Sequence, residues 1–323
     1  MSSLSTQPPI FEKLALIGCG LIGSSIARAA RQFNVTRTIS IYDALPSVME
    51  RVQALNLADS KISSIGNAVE GADLVIICTP VGVCGRIAQE IAPFLQNGSI
   101  VSDVGSVKAA VVQQVTPHLP THAHFIPAHP IAGTEFSGPD SGFATLFQNR
   151  WCILTPEKNA DSLKVRQLAL FWERIGAKVE TMSPEHHDKV LALTSHLPHL
   201  IAYNIVGTAD DFGEQTRSEV IKFSASGFRD FTRIAASDPI MWRDIFLNNR
   251  EAVLEMLGRF NEDLSALQRM IRHGDGDSLS AFFSRTRTIR QSIIEQGQDT
   301  PSPDFGRQNQ KKTINLLNKF NSY

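Results

Sequence analysis

Leu14-Ala15-Leu16-Ile17-Gly18-Cys19-Gly20-Leu21-Ile22-Gly23-Ser24-Ser25 is the stretch that decides the fold. An apolar run ends at Gly18, glycines return at Gly20 and Gly23, and a helix-like segment runs from Ser24 to Phe33. Strand, glycine turn and helix start in that order form the turn that receives a dinucleotide pyrophosphate. Gly18 permits the tight turn, Gly20 has no side chain to obstruct phosphates, and Gly23 lets the helix lie close to the strand. The free N–H groups at the helix start, around Leu21 and Ile22, then face the anion together with the positive dipole end.

Thr38-Ile39-Ser40-Ile41-Tyr42 reads as a second strand ending at Asp43. That acid stands near the distance at which a carboxylate holds the adenosine ribose. It accepts hydrogen bonds from both ribose hydroxyls and repels a 2′-phosphate. Ala44 and Leu45 follow, with no adjacent Arg or Lys to welcome that phosphate. The pattern therefore predicts NAD rather than NADP; an unliganded turn Asp is the plainer alternative.

The chain has 323 residues, enough for two domains and a sizeable core. With 31 basic and 32 acidic residues its formal net charge is −1, which gives no electrostatic reason to expect nucleic acid or an acidic membrane. Cys19, Cys78, Cys84 and Cys152 show no zinc or redox spacing, so reduced thiols in a cytoplasm are expected. The polar start, Met1 to Pro9, lacks a signal pattern, and no stretch is apolar enough to span a bilayer.

Ala72-Asp73-Leu74-Val75-Ile76-Ile77-Cys78 suits a strand buried on both faces, ending at Thr79-Pro80 beside the cofactor. Ser99 to Ser102 is the next strand and leads into Asp103-Val104-Gly105-Ser106-Val107-Lys108. Ser106 is read either as a substrate contact or as the cap of a helix beginning near Val107. In Phe125-Ile126-Pro127-Ala128-His129-Pro130 a short apolar run ends at a histidine stiffened by two prolines. His129 is suited to proton transfer, because its unperturbed pKa lies near physiological pH, or it satisfies a turn. Trp151 to Leu154 and Ala177 to Met182 complete the strands, with a helix from Ser162 to Ile175 between them.

From Ser183-Pro184-Glu185 onward only helical periodicity remains. The expected fold is α/β: an N-terminal doubly wound, Rossmann-type sheet over 10–183, an all-helical domain over 184–297, and a loose tail over 298–323. Ser195, His196 and His199 share a helix face. No third ligand pattern supports a metal there. Pro198 should kink the helix, and the apolar Leu200 to Val206 that follows implies deep burial at a subunit contact. Arg233 and Arg243 are candidate carboxylate forks, or surface partners of Asp230 and Asp244. Helices are expected to start at Asp238-Pro239 and to run over Phe246 to Met270 and Ser278 to Gln296.

Taken together, these blocks resemble the prephenate and arogenate (cyclohexadienyl) dehydrogenases of tyrosine biosynthesis, over nearly all of Leu14 to Gln296. The glycine loop alone is generic. Ala128-His129-Pro130-Ile131-Ala132-Gly133-Thr134-Glu135 together with Gly227-Phe228-Arg229-Asp230-Phe231-Thr232-Arg233 is specific, and Ser195-His196-Leu197-Pro198-His199 also matches. The resemblance implies NAD-dependent oxidative decarboxylation of a cyclohexadienol, giving 4-hydroxyphenylpyruvate or tyrosine, NADH and carbon dioxide. It implies that His129 takes the proton of the ring 4-hydroxyl while hydride leaves C4, that Ser106 binds the same hydroxyl, and that Arg233 clamps a carboxylate. Ser195, His196 and His199 would line the pocket, with Thr134 and Glu135 at its mouth. A homodimer through the helical half and inhibition by tyrosine are further implications. The residues leave open which of the two substrates is preferred.

Two rival readings are weighed against this one. A β-hydroxyacid dehydrogenase or imine reductase also joins a dinucleotide sheet to helices, with Lys189 as the catalytic lysine, but the His129 block argues against it. A non-catalytic NAD-binding sensor would have no use for His129 and Arg233.

Overall fold

In the computed structural model, which describes residues 8–134, 136–211, 219, 222–223, 226–293 and 295, the first sheet has five strands. They are β1 (Phe11–Ile17), β2 (Thr36–Tyr42), β3 (Leu74–Ile77), β4 (Ile100–Asp103) and β5 (His124–Phe125). All pair in parallel, in the order β2-β1-β3-β4-β5. The chain moves from β1 outward to β2 and then crosses to β3 on the other side of β1. That reversal opens a crevice beyond the carboxyl ends of β1 and β3, where open α/β sheets hold their ligands. Gly18 and the Cys78-Thr79-Pro80 corner border it, and Cys78 N–H joins them by donating to Ile17 C=O at 2.7 Å.

The uninterrupted apolar runs follow from this placement. Leu14, Ile17, Leu74, Val75, Ile76 and Ile77 are all buried, since helices cover both faces of the sheet. On one face Ala15, Ile17, Val75, Ile77 and Val101 pack against Ala88, Ile91 and Val111 of the connecting helices α4 (Cys84–Ile91) and α5 (Ala109–Val115). These follow α1 (Leu21–Gln32), α2 (Pro46–Ala54) and α3 (Ile65–Val69).

The strands after β5 do not extend this sheet. β6 (Ala128–Pro130), β7 (Trp151–Leu154) and β8 (Lys178–Thr181) form a second, three-stranded sheet, with β6 antiparallel to β7 and β7 parallel to β8. The change begins at Pro127. Ile126 N–H still bonds Val101 C=O at 2.9 Å, but the next donor on that side, Ala128 N–H, turns to the Asp103 carboxylate at 3.4 Å, while Pro127 C=O on the opposite side accepts from Thr155 N–H at 2.9 Å. Two residues later His129 pairs with Ile153 of β7. The helix α6 (Ser162–Arg174) links β7 to β8.

Beyond β8 every described element is helical. Helix α7 (Pro184–Leu191) starts as its sequence predicts, with Ser183 Oγ accepting from His186 N–H at 3.2 Å. The kink expected at Pro198 takes the form of a π-turn over Ala192–His196, leading into α8 (Leu197–Asp211). Proline lacks the N–H of an ordinary turn and its ring collides with the carbonyl four residues back; the wider turn relieves both. The deep burial expected for α8 is absent within the single chain. Among its described residues only Leu197 and Ala202 are buried, and Ile205 and Val206 are 39% and 40% exposed.

Helix α9 (Ser226–Thr232) and a 3₁₀ turn (Arg233–Ala236) precede α10 (Pro239–Asn248), which Asp238 caps. The helix predicted from Phe246 to Met270 is broken at Asn249, so α11 spans Arg250–His273. The break releases the Asn249 side chain into a buried network. Helix α12 covers Gly276–Ile293. The described residues divide into two compact units between Val253 and Leu254. The first holds both sheets and the helices to Val253; the second comprises the rest of α11 with α12. The predicted tail over 298–323 lies outside the described residues, and no described helix is long and apolar enough to cross a membrane.

Candidate active site

The crevice at β1 and β3 is built by glycines. Gly18 has φ +97°, and a Cβ there would stand 2.7 Å from Cys78 O. A Cβ on Gly23 would stand 2.3 Å from Gly18 O, so the approach of helix to strand requires glycine. A Cβ on Gly20 would meet nothing within 4 Å, which leaves open space beside the turn. No side chain caps α1 and no acid stands in its first turn. Ser24 N–H makes the first helical bond, to Gly20 C=O at 3.1 Å. The N–H groups of Leu21, Ile22 and Gly23 precede that ladder and suit an anion.

Asp43 closes the crevice from the end of β2. Its Oδ2 accepts from Cys19 N–H and its Oδ1 from Leu45 N–H, each at 2.9 Å. The carboxylate therefore braces the glycine turn and keeps lone pairs for a further donor. Thr79 is half-buried and Pro80 exposed at the end of β3. Open space, an uncapped helix start and a carboxylate on the neighbouring strand fit a dinucleotide.

His129 sits on β6 and is 8% exposed. Its Nδ1 lies 2.9 Å from His187 Nε2, and His187 Nδ1 lies 2.8 Å from Asp188 Oδ1. The His129 pKa is pushed well below the ordinary value, first by burial and then by His187, Lys108 and His196. Burial also depresses His187, against the opposing pull of Asp188. His129 is therefore a neutral imidazole at neutral pH. Asp188 accepts from Lys108 N–H at 2.8 Å and Ala109 N–H at 2.9 Å, so it caps α5 from another helix. The cap predicted for Ser106 is thus supplied by Asp188. Ser106 is half-buried in the loop ahead of α5, and among the described residues no group holds its hydroxyl.

His196 ties the neighbouring elements together. It is buried, its pKa is lowered to about 4 chiefly by burial, and it faces both the Ser106 backbone and His199. Its Nδ1 meets Asn249 Nδ2 at 3.0 Å, while the same amide donates to Asp188 C=O at 2.9 Å. His199 stacks on Trp242 with ring centroids 3.7 Å apart, and its Nδ1 donates to Ser195 C=O at 2.8 Å. Burial lowers the His199 pKa, and Arg233 lowers it further from the 3₁₀ turn. The structure thus links His129 to His196, His196 to Ser106 and His199, and His199 to Arg233. Ser195 contributes through its carbonyl.

Thr134 lies farther along the loop after β6, where its hydroxyl accepts from Phe136 N–H at 3.3 Å, and Glu135 lies outside the described residues. Arg243 pairs with Asp244 at 2.7 Å on the surface, as the plainer reading of that residue has it. Lys189 is exposed. Among the described residues no group of three or more His, Cys, Asp or Glu is placed to hold a metal ion.

Sequence reasoning passes over His187, Asp188, Asn249 and Trp242. It also gives no role to the buried pair of Lys108 and Asp103, whose side chains are both 0% exposed. Lys108 Nζ bonds the Asp103 carboxylate and also Ala128 C=O at 2.7 Å, directly before His129. A signal is present in His186-His187-Asp188, an acid beside histidines in the first turns of a helix, but such clusters are ordinary at helix starts.

Known proteins resemble this chain in sequence and in fold. Residues 26–181 match the family model "Prephenate dehydrogenase, nucleotide-binding domain", and residues 183–285 match "Prephenate dehydrogenase, dimerization domain". The chain is 44% identical over 284 residues to a cyclohexadienyl dehydrogenase of Zymomonas mobilis, covering 88% of this chain and 97% of that protein. It is 32% identical over 283 residues to a prephenate dehydrogenase of Bacillus subtilis, covering 87% and 76%. A crystal structure of prephenate dehydrogenase from A. aeolicus, in complex with hydroxyphenyl propionate and NAD+, superposes with a TM-score of 0.81. It is 34% identical, and the match covers 90% of this chain and all of that one. By both halves of its sequence and by its fold, this chain belongs to the prephenate dehydrogenase family.

Proposed function

We propose that the protein catalyses the NAD-dependent oxidative decarboxylation of prephenate, arogenate or both in tyrosine biosynthesis. The observation that carries this reading is His129: a buried, neutral imidazole tethered through Nδ1, with His196 acting on it and Ser106, His199 and Arg233 linked to it through His196 and His199. When bound, NAD⁺ supplies the two-electron acceptor for the ring oxidation. His129 removes the proton of the ring hydroxyl as a general base. Ser106 holds that hydroxyl in line. Arg233 grips a substrate carboxylate, and Ser195, His196, His199 and Thr134 line the pocket and its mouth. Loss of carbon dioxide leaves an aromatic ring, so the chain's own task is deprotonation, alignment and exclusion of water.

The test is steady-state turnover with prephenate and with arogenate, each with NAD⁺ and NADP⁺. Turnover of at least one substrate with NAD⁺ supports the reading; intact NAD⁺ binding with no turnover of either sinks it. Arg233→Lys should raise KM for the substrate about tenfold to a hundredfold, because an ammonium loses a paired, charge-assisted bond worth about 1.5–3 kcal/mol. An unaltered KM would contradict the clamp. Asp43→Ser should raise KM for NAD⁺ by about tenfold, on the same scale for a charged hydrogen bond, and narrow the preference over NADP⁺. An unchanged NAD⁺ to NADP⁺ ratio counts against the ribose contact.

The matched dimerization domain and the exposed Ile205 and Val206 support a homodimer through the helical half. Tyrosine, which carries the product's ring, is proposed to compete for the same pocket. All four cysteines are free thiols, which supports a reducing, cytoplasmic setting.

A further inference from the structure

The geometry points to His187 and Asp188 as positioning residues that hold His129 in the tautomer with its proton on Nδ1 and its lone pair on Nε2. This inference rests on His129 being the base. The hydrogen-bond order around the cluster leaves one consistent assignment. Asp188 Oδ1 is an acceptor, so His187 Nδ1 at 2.8 Å carries the proton. In neutral His187, Nε2 is then the acceptor. His129 Nδ1, 2.9 Å away, is the donor, and His129 Nε2 keeps its lone pair.

Asp188 is itself fixed from several sides. Its carboxylate receives Lys108 N–H and Ala109 N–H, and Asn249 Nδ2 donates to its backbone carbonyl. An anchored carboxylate orients the first ring, and the first ring orients the second. The helix start that Asp188 caps, at Lys108 and Ala109, lies two and three residues after Ser106, so one carboxylate sets both the base and the loop carrying the serine.

The arrangement also serves the reaction. Burial opposes charge on His129 at the moment it accepts a proton. When Nε2 takes the proton from the substrate hydroxyl, the Nδ1–H bond to His187 strengthens. The positive charge is then shared toward the Asp188 carboxylate across the His187 ring. No further proton needs to move. An apolar group at 187 would remove that support and free the imidazole to place its proton on Nε2, where it cannot act as a base.

Two substitutions separate positioning from packing. His187→Leu fills most of the space but offers no acceptor; His187→Gln keeps an amide oxygen that can accept from His129 Nδ1–H. We expect H187L to lower kcat roughly 100-fold, at the lower end of what a positioned general base supplies, with KM for substrate and for NAD⁺ unchanged. H187Q should restore most of the rate. Nitrogen-15 spectra of the histidine rings in the ligand-free protein give a readout independent of turnover. The wild type and H187Q should show His129 protonated on Nδ1, and H187L should show protonation on Nε2.

Equal losses in H187L and H187Q, an unchanged His129 ring pattern in H187L, or a wild-type ring protonated on Nε2 would each overturn the inference. If H187L does not fold, the ring pattern of H187Q decides alone: Nδ1–H supports the inference and Nε2–H overturns it. Failure of the underlying reading looks different, because there His129→Asn would itself retain turnover.

Discussion

His129→Asn should reduce kcat by about 10²–10⁴-fold, the usual contribution of a positioned general base, while NAD⁺ binding stays close to that of the parent. Asparagine keeps a polar group of similar reach toward His187 Nε2, so the cluster is not emptied. It has no lone pair basic enough to take a proton from a hydroxyl. The glycine turn lies between β1 and α1 in the first sheet, whereas His129 belongs to β6 in the second. Cofactor affinity, followed by titration of NAD⁺, is therefore separable from turnover. A kcat within a few-fold of the parent would remove His129 from the mechanism.

The pH profile of the parent offers a check on the same residue. The base works in its neutral form, so protonation abolishes it. Burial holds its pKa well below 6.5, with His187, Lys108 and His196 adding to the effect. The acid limb of kcat/KM should accordingly lie well below pH 6.5, and the rate constant should hold its plateau from neutral pH down through that value. A limb centred near 6.5 would mean that the essential group is solvated, and His129 is not.

Much of this arrangement is legible in the chain because local rules decide it. Gly18 and Gly23 announce a turn with no room for a side chain, Gly20 leaves open space beside it, and the apolar runs of β1 and β3 announce strands covered on both faces. Ser183-Pro184 and Asp238-Pro239 mark helix starts that the structure contains. What escapes is long-range. Asp188 caps α5 about eighty positions away, so nothing near Ser106 hints that its expected capping role is filled. Asn249 breaks a helix whose periodicity continues through it, because its side chain is needed against Asp188 and His196. The exposure of Ile205 and Val206 belongs to surface the chain does not cover by itself. Periodicity reports that a face is apolar and is silent on which molecule covers it.

Lys108→Met should be the most destabilising single change near the site, about 3–5 kcal/mol, because it strands the Asp103 carboxylate in the interior. Neither side chain reaches solvent. The lysine ammonium serves two acceptors, Asp103 and Ala128 C=O, whereas Asp103 also receives Gly105 N–H at 2.8 Å. Removing the cation leaves that single amide facing a full negative charge, with Ala128 N–H at a long 3.4 Å. Methionine fills the stem's volume, so the loss measures charge rather than a cavity. The double variant Lys108→Met with Asp103→Asn sharpens the argument. Its amide oxygen still accepts from Gly105 N–H, and no charge remains buried. It should therefore be more stable than Lys108→Met alone, even though it carries one more substitution. Denaturant midpoints of the parent, the two single variants and the double test this directly. A double variant no more stable than Lys108→Met would show that the ammonium matters for its bond to Ala128 C=O and not for the carboxylate it neutralises.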